Sequence, residues 1–566
     1  MDFVFALHSH LPWVLNHGRW PHGSDWLCEA MTDTYLPLIE ALDALEREGI
    51  AAPLTIGVTP VLGAQLSHPA LESEMAPFFE QRLSACEEAE QGFGSSGEEH
   101  LIPIARFWRE RYARLQRLLS RTDGGVVGAL RRHADAGRIE LLSSAATHGF
   151  LPLLGRDESI ALQLAVGRAE HRRLFGRDPA GCWVPECAYR PRGDWAPDPA
   201  AQPIPDRAGI EEHLAAHGYR FFFVDAHLAE AGRPLSLYQD AGWPERSWRG
   251  EGGEFPRPTA EVPDPASPRS PYRAYQVSPR AGQAPVTALV RDPESTRQVW
   301  SRHGGFPGDG TYLEFHKIRY PGGIKFWRVT SPDSDLGLKE PYEPNGARAR
   351  AFSHAAHLHW LISGRAGQGR PGEVVMVAPF DTELFGHWWF EGVDFLADLY
   401  RRLARDAGPN PRTASAHLAA QPARAAVSLA AGSWGANGDF SMWLNPATRW
   451  TWERLWTLER RFWAVARASL ADSARHEVLT QAARELLLLQ SSDWQFIIST
   501  GAASDYAARR FHEHAEDLEV LVHALEPGGR GLLPGAARHA ERVRSRDDLF
   551  PEVLSALAAV QPPSGS

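Results

Sequence analysis

Two carboxylic acids in this chain stand where acids are uncommon. Glu186 lies in CWVPECAYRP (182–191) among Trp183, Pro185, Cys187 and Tyr189, with no second acid nearby along the chain. Asp381 lies in APFDTELFGHWWFEG (378–392), again behind an apolar run and beside Phe and Trp. Apolar surroundings raise a carboxyl's pKa, as a general acid requires. Two such acids about 5–5.5 Å apart can run double displacement on a glycosidic bond, one as nucleophile and one as acid/base. Spacing along the chain leaves their roles open. A metal reading competes: His8 and His10 are two apart on one face of a strand, and with Asp225, His227 or Asp381 they could bind zinc and activate water, as in polysaccharide deacetylases. Otherwise these imidazoles hydrogen-bond sugar hydroxyls or support neighbouring groups.

These residues must be positioned by strands. Seven β-branched or aromatic runs end in polar clusters: 3–10, 54–60, 139–149, 181–189, 219–227, 285–292 and 373–386. Most are near-continuously apolar, the pattern of parallel strands covered on both faces. Helical periodicity at 29–49, 158–175 and 347–364 alternates with them. With no G-x-G-x-x-G, the pattern predicts an α/β fold, a TIM-type barrel one strand short of eight, with chemistry at the carboxyl ends of the strands. Those ends carry His8, His10, Thr59, His148, Glu186, Asp225, His227, Arg291, Asp292, Asp381 and Glu383.

Residues 68–122 exceed one crossover and read as a helical insertion, with Ile104, Phe107, Trp108, Leu115, Leu118 and Leu119 on its apolar face. Residues 229–272 form a long Pro-, Gly- and charge-rich loop, of the kind that serves as a lid or stays disordered. The expected division is a catalytic barrel over 1–405 and a mainly helical C-terminal domain over 406–566. In the latter, Leu479, Ala482, Ala483, Leu486 and Leu487 line one face, and Phe511, Leu518, Leu521, Val522 and Leu525 line another.

Composition narrows the function. The chain has 566 residues, 43% hydrophobic and 23% charged, with a formal net charge of -11. That balance disfavours a nucleic-acid partner bound through phosphates. The sequence has no apolar run of about 18 residues to span a membrane, and MDFVFALHSHLPW reads as a strand, not a signal peptide. The four scattered cysteines suggest a reducing, cytoplasmic compartment. Cys182 and Cys187 should face opposite sides of one strand, which makes them poor disulfide partners. Twenty tryptophans, many beside polar motifs, suit stacking on sugar rings as well as packing.

HSHLPW (8–13), IGVTPVL (56–62), WVPECAY (183–189), APFDTELFGHWWFEG (378–392) and GSWGANGDFSMWLNPATRWTWE (432–453) resemble, in order, motifs of family 57 of the glycoside hydrolases. HGRWPHGSDWLCEA (17–30), RDPESTRQVWS (291–301) and LLLQSSDWQFIIST (487–500) extend the similarity over most of the chain. Pro-Glu-Cys around Glu186 is more typical of that family's 1,4-α-glucan branching subgroup than of its amylases and 4-α-glucanotransferases.

The resemblance implies a distorted (β/α)7 barrel with a helical insertion and a helical C-terminal domain. It implies retaining glycosyl transfer on α-glucan, amylose or a glycogen-like polysaccharide, without metal or cofactor. A monomer or weak homodimer is the expected state. It assigns Glu186 as nucleophile and Asp381 as acid/base. His10 and His148 fall beside the reacting sugar, Trp300, Trp434 and Trp443 form aromatic walls, and Asp493 and Trp494 come from the C-terminal domain. His8, Trp26, Trp183, Asp225, His227 and Arg291 complete the candidate glucan-binding set. In that subgroup a mobile loop carries a Tyr near its tip. Here the corresponding loop is longer and Pro-rich, and Tyr238 and Tyr272 are the candidates. Amylase or glucanotransferase activity on the same scaffold, a metal-dependent deacetylase, or a glucan-binding scaffold with a degenerate site are the competing readings.

Overall fold

A computed structural model of the chain describes residues 1–20, 22–197, 202–230, 269–277, 284–301, 304–331, 333–369 and 372–560. Seven parallel strands form its centre: β1 (Asp2–Ser9), β2 (Thr55–Val58), β3 (Glu140–Ser144), β4 (Gly181–Trp183), β5 (Phe221–Val224), β6 (Val286–Val290) and β7 (Val375–Asp381). Their order is β7-β1-β2-β3-β4-β5-β6. A single parallel bridge between Arg291 and Val377 joins the two ends, with Asp292 N–H donating to the Val377 carbonyl at 2.7 Å. The expected (β/α)7 barrel is therefore present. Ala274–Val277 adds an antiparallel strand outside β6, and Ala425–Val427 pairs with it.

Strand alternation explains what points where. Val4, Ala6, Leu142, Trp183, Phe221, Phe223, Leu289, Val375 and Val377 pack together as one apolar cluster filling the barrel. Phe3, Phe5, Leu7, Ile56, Val58 and Leu141 face the other way, into the larger core under the helices. Burying Phe221 or Phe223 fully stabilises the fold by roughly 1.5–3 kcal/mol each. Continuing the inward parity with its period of two carries His8, Asp225, Arg291 and Asp381 to the mouth. His8 and Asp381 are register partners on adjacent strands.

The insertion is a pair of helices, Pro69–Ser96 and Ile102–Arg121, with Ile104, Trp108 and Leu115 buried and Phe107, Leu118 and Leu119 partly so. After β7 the chain places Asn410–Pro411 beside β1. Helices then dominate from Arg449, and the two apolar faces read from the sequence are buried in His476–Leu489 and Ser504–Leu525. Two segments return to the barrel mouth: residues 432–434, bridged to Tyr189, and residues 491–493, bridged to Gly149.

Candidate active site

Glu186 would point away from the mouth if the alternation of β4 simply continued past Trp183. The turn at 185–187 prevents this. Val184 is extended (φ -65, ψ 126), as the following proline demands, while Glu186 and Cys187 both take left-handed φ, 59 and 47. Each such residue costs on the order of 1–3 kcal/mol and persists only where its surroundings enforce it. The enforcement is visible. Cys187 N–H donates to the Val184 carbonyl at 2.9 Å, Trp434 N–H donates to the Glu186 carbonyl at 3.0 Å, and Tyr189 exchanges backbone hydrogen bonds with Gly432. The same Trp434 donates its indole N–H to Glu186 Oε2 at 2.7 Å. One segment thus holds both the backbone and the carboxylate of Glu186.

Burial pushes the Glu186 carboxyl up to about 8, opposed by the Trp434 hydrogen bond and His10 and reinforced by Asp381 and Asp493. Asp381 ends β7. Burial and the neighbouring Glu383 raise it well above the carboxylate range, against the pull of Arg291. No described residue hydrogen-bonds the Asp381 carboxyl. Two acids sharing one field titrate as a pair, and the donors differ: Glu186 has an indole N–H to stabilise its anion, whereas Asp381 has no described donor and so favours its proton more.

Beside them the histidines form a column. Trp183 and His8 stack at 4.7 Å, His8 and His148 at 4.9 Å, and His148 and His10 at 4.0 Å. His8 Nε2 and His148 Nε2 share a hydrogen bond at 2.9 Å, and His148 Nδ1 meets Ser492 Oγ at 3.0 Å. Burial and neighbouring imidazoles hold His8 and His148 far below the usual imidazole range, so both are neutral. His10 Nδ1 lies 3.0 Å from Thr59 Oγ1, and its Nε2 lies 2.9 Å from the Asp493 carboxylate. His148 Nδ1 is 3.8 Å from Glu186. The ligand-capable atoms of His10, His148 and Asp493 sit within 4.8 Å of one another. They are already committed to each other, to Thr59 and to Ser492, so an ion there would have to break these bonds.

On the other side, Arg291 reaches Asp225 at 3.4 Å and lies 5.1 Å from the Trp434 ring centre. His227 Nε2 is 2.9 Å from the Gly438 carbonyl, supporting the loop that carries Trp434. Trp300, half-buried, lies 6.2 Å from Trp434 and stacks on Phe380 at 6.4 Å.

Against this geometry, the sequence model of glycosyl hydrolase family 57 matches residues 4–416, and that of the C-terminal region of 1,4-alpha-glucan branching enzymes matches residues 455–556. The chain belongs to glycosyl hydrolase family 57. Among proteins it resembles, a 1,4-alpha-glucan branching enzyme of Thermococcus kodakarensis is 37% identical over 99% of this chain and 79% of the relative. A probable 1,4-alpha-glucan branching enzyme of Mycobacterium tuberculosis is 31% identical over 97% and 96%. The crystal structure of the Thermococcus family 57 enzyme, in complex with glucose and additives, superposes with a TM-score of 0.87 at 35% identity, covering 99% of this chain and 97% of that one. An alpha-amylase of Thermotoga maritima gives 0.76 at 26%, covering 98% and 99%.

Other candidates of this family 57 chain sit elsewhere. Trp443 is fully buried, stacked on Phe150 at 4.4 Å, and Trp494 is fully buried with its N–H donated to the Leu488 carbonyl. Neither offers a free face: Trp443, expected as an aromatic wall, and Trp494, expected among the glucan-binding residues, are packing residues behind the mouth. Trp26 is half-buried in helix Ser24–Ala30. Tyr272 is buried, donates to Asp292 at 3.1 Å and lies under Arg365. It is a fixed part of the wall and not a loop tip. Tyr238 and most of the 229–272 loop lie outside the described residues. Sequence reasoning missed Ser492, Tyr35 and the part played by Glu383. The polar cluster SSD at 491–493 was the available signal for the first.

Proposed function

We infer that the chain is a 1,4-α-glucan branching enzyme. The observation that carries this is collinearity: the barrel matches family 57 while residues 455–556 separately match the branching-enzyme C-terminal region. In the proposed mechanism Asp381 protonates the departing oxygen of an α-1,4 bond and Glu186 attacks the anomeric carbon, giving a glycosyl-enzyme. Asp381 then takes the proton of a glucan 6-hydroxyl, which accepts the chain as an α-1,6 branch. Two features support these roles: the indole N–H that stabilises the Glu186 anion, and a burial that keeps the Asp381 proton in place. Neutral His8 and His148 cannot compete for that proton, and they are suited to hydrogen bonding with sugar hydroxyls. Trp300 and Trp434 provide the apolar wall against which a glucan packs.

Glycogen-type synthesis in the cytoplasm is the setting we propose. Among the described residues no helix is long and apolar enough to cross a membrane, and all four cysteines are buried and free. The test is product analysis on amylose. New α-1,6 anomeric signals by NMR with little gain in reducing ends are expected. Reducing ends alone would assign hydrolysis, the amylase reading. Activity is expected to survive a chelator; loss restored by zinc would favour metal-assisted chemistry.

A further inference from the structure

We infer that Tyr35 and Glu383 form a positioning pair for the acid/base carboxyl. Tyr35 fixes the Glu383 carboxylate in its charged form two residues beyond Asp381, and that charge holds the proton on Asp381 until the leaving oxygen takes it. The inference rests on Asp381 being the acid/base.

The pair is built by close backbone contact. Tyr35 closes a π-helical turn, Met31–Tyr35, between helices Ser24–Ala30 and Leu36–Arg47. Such a turn inserts one residue and re-aims the side chains after it. The segment following Asp381 lies directly against it. Gly386, at φ +121, approaches so closely that a Cβ would sit 2.0 Å from the Asp33 carbonyl oxygen, and His387 N–H donates to Thr34 Oγ1 at 3.0 Å. Within that contact the Tyr35 hydroxyl donates to Glu383 Oε1, and His10 N–H donates to the same oxygen at 3.1 Å. Two donors converging on one buried oxygen favour the carboxylate, the form that accepts most strongly.

The charged and titratable groups around the pair are few. Asp381 feels the charges of Glu383 and Arg291 and in turn raises Glu186. Asp33 beneath Tyr35 is paired with Lys325 at 3.6 Å and faces His387 at 3.5 Å. Burial raises Glu383 to about 7, held from rising further by Tyr35 and the backbone donors. Glu383 therefore gains its charge in the range where Asp381 must keep its proton, and a nearby like charge favours the protonated form.

The test is the pH profile of kcat/KM for the full chain and for E383Q and Y35F, with D381N alongside. Glu383→Gln keeps an acceptor for both donors but removes the charge. The alkaline limb, where Asp381 loses its proton, is expected to fall by about one pH unit. Y35F should move it the same way by less, since Glu383 then ionises later. An alkaline limb that stays in place in E383Q overturns the inference. If E383Q does not fold or turn over, Y35F decides by the same criterion. A D381N enzyme that remains active overturns the reading beneath; an inactive D381N with an unmoved limb in E383Q overturns the pair alone.

Discussion

The turn around Glu186 and the strand end at Asp381 solve opposite problems with the same raw material. Both present a half-buried carboxyl at the barrel mouth. Glu186 gets there through two left-handed residues and is clamped through backbone and side chain by Trp434. Asp381 arrives by plain strand alternation, and no described residue hydrogen-bonds its carboxyl. A group that must attack carbon along one line benefits from being held. A group that must give a proton to one oxygen and take it from another benefits from freedom and a high affinity for that proton. In the proposed mechanism similar burial then serves different roles, because the donors differ more than the depth.

The largest expected effect is on turnover. E186A and D381A should each lose activity by at least about three orders of magnitude while keeping the parent's circular dichroism and unfolding profile. A folded variant of either kind with near-parent initial rates on amylose would break the comparison at its root. The next effect is directional. W434F removes the donor to Glu186, so its anion is less stable, its pKa rises further and the acidic limb of kcat/KM should move to higher pH, by about one unit. E383Q should move the other limb, so a Trp434 variant that shifts only the alkaline limb would reverse the assignment.

A smaller effect concerns stability. Glu186 and Asp381 have folded-state pKa values above their unfolded ones. The folded state then binds more protons, and stability falls as pH rises from the unfolded carboxylate range near 4 through the folded values. E186Q should therefore be more stable than the parent at pH 8, by on the order of 1–3 kcal/mol, and D381N in the same direction, with the gain fading toward pH 4. Thermal unfolding of the three proteins across that range measures it. A gain for one acid only would show that their burial is not equivalent.

Much of this was legible in the sequence because it follows from periodicity. Seven apolar runs became seven parallel strands, and the alternation that buries Val4, Ala6, Phe221 and Val377 also places His8, Asp225, Arg291 and Asp381 at the mouth. What could not be read were features that break periodicity or join distant segments. The left-handed turn at Glu186 has no signature beyond its proline. The π-helical turn that delivers Tyr35 to Glu383 looks, in sequence, like an ordinary amphipathic helix over 29–49. The tryptophans divided for a related reason: composition cannot tell a half-buried ring, such as Trp300, from one packed away completely, such as Trp443. Asp493 and Ser492 reach the histidine column from the helical region that follows the barrel, hundreds of residues along the chain from His10 and His148.

The most direct test of the division of labour is to trap the covalent intermediate. D381A, supplied with an α-maltosyl fluoride whose leaving group needs no protonation, should form a glycosyl-enzyme that is slow to transfer. Proteolysis and mass spectrometry should then find the sugar esterified to Glu186. No adduct under those conditions, or an adduct on any other carboxylate, would contradict the account.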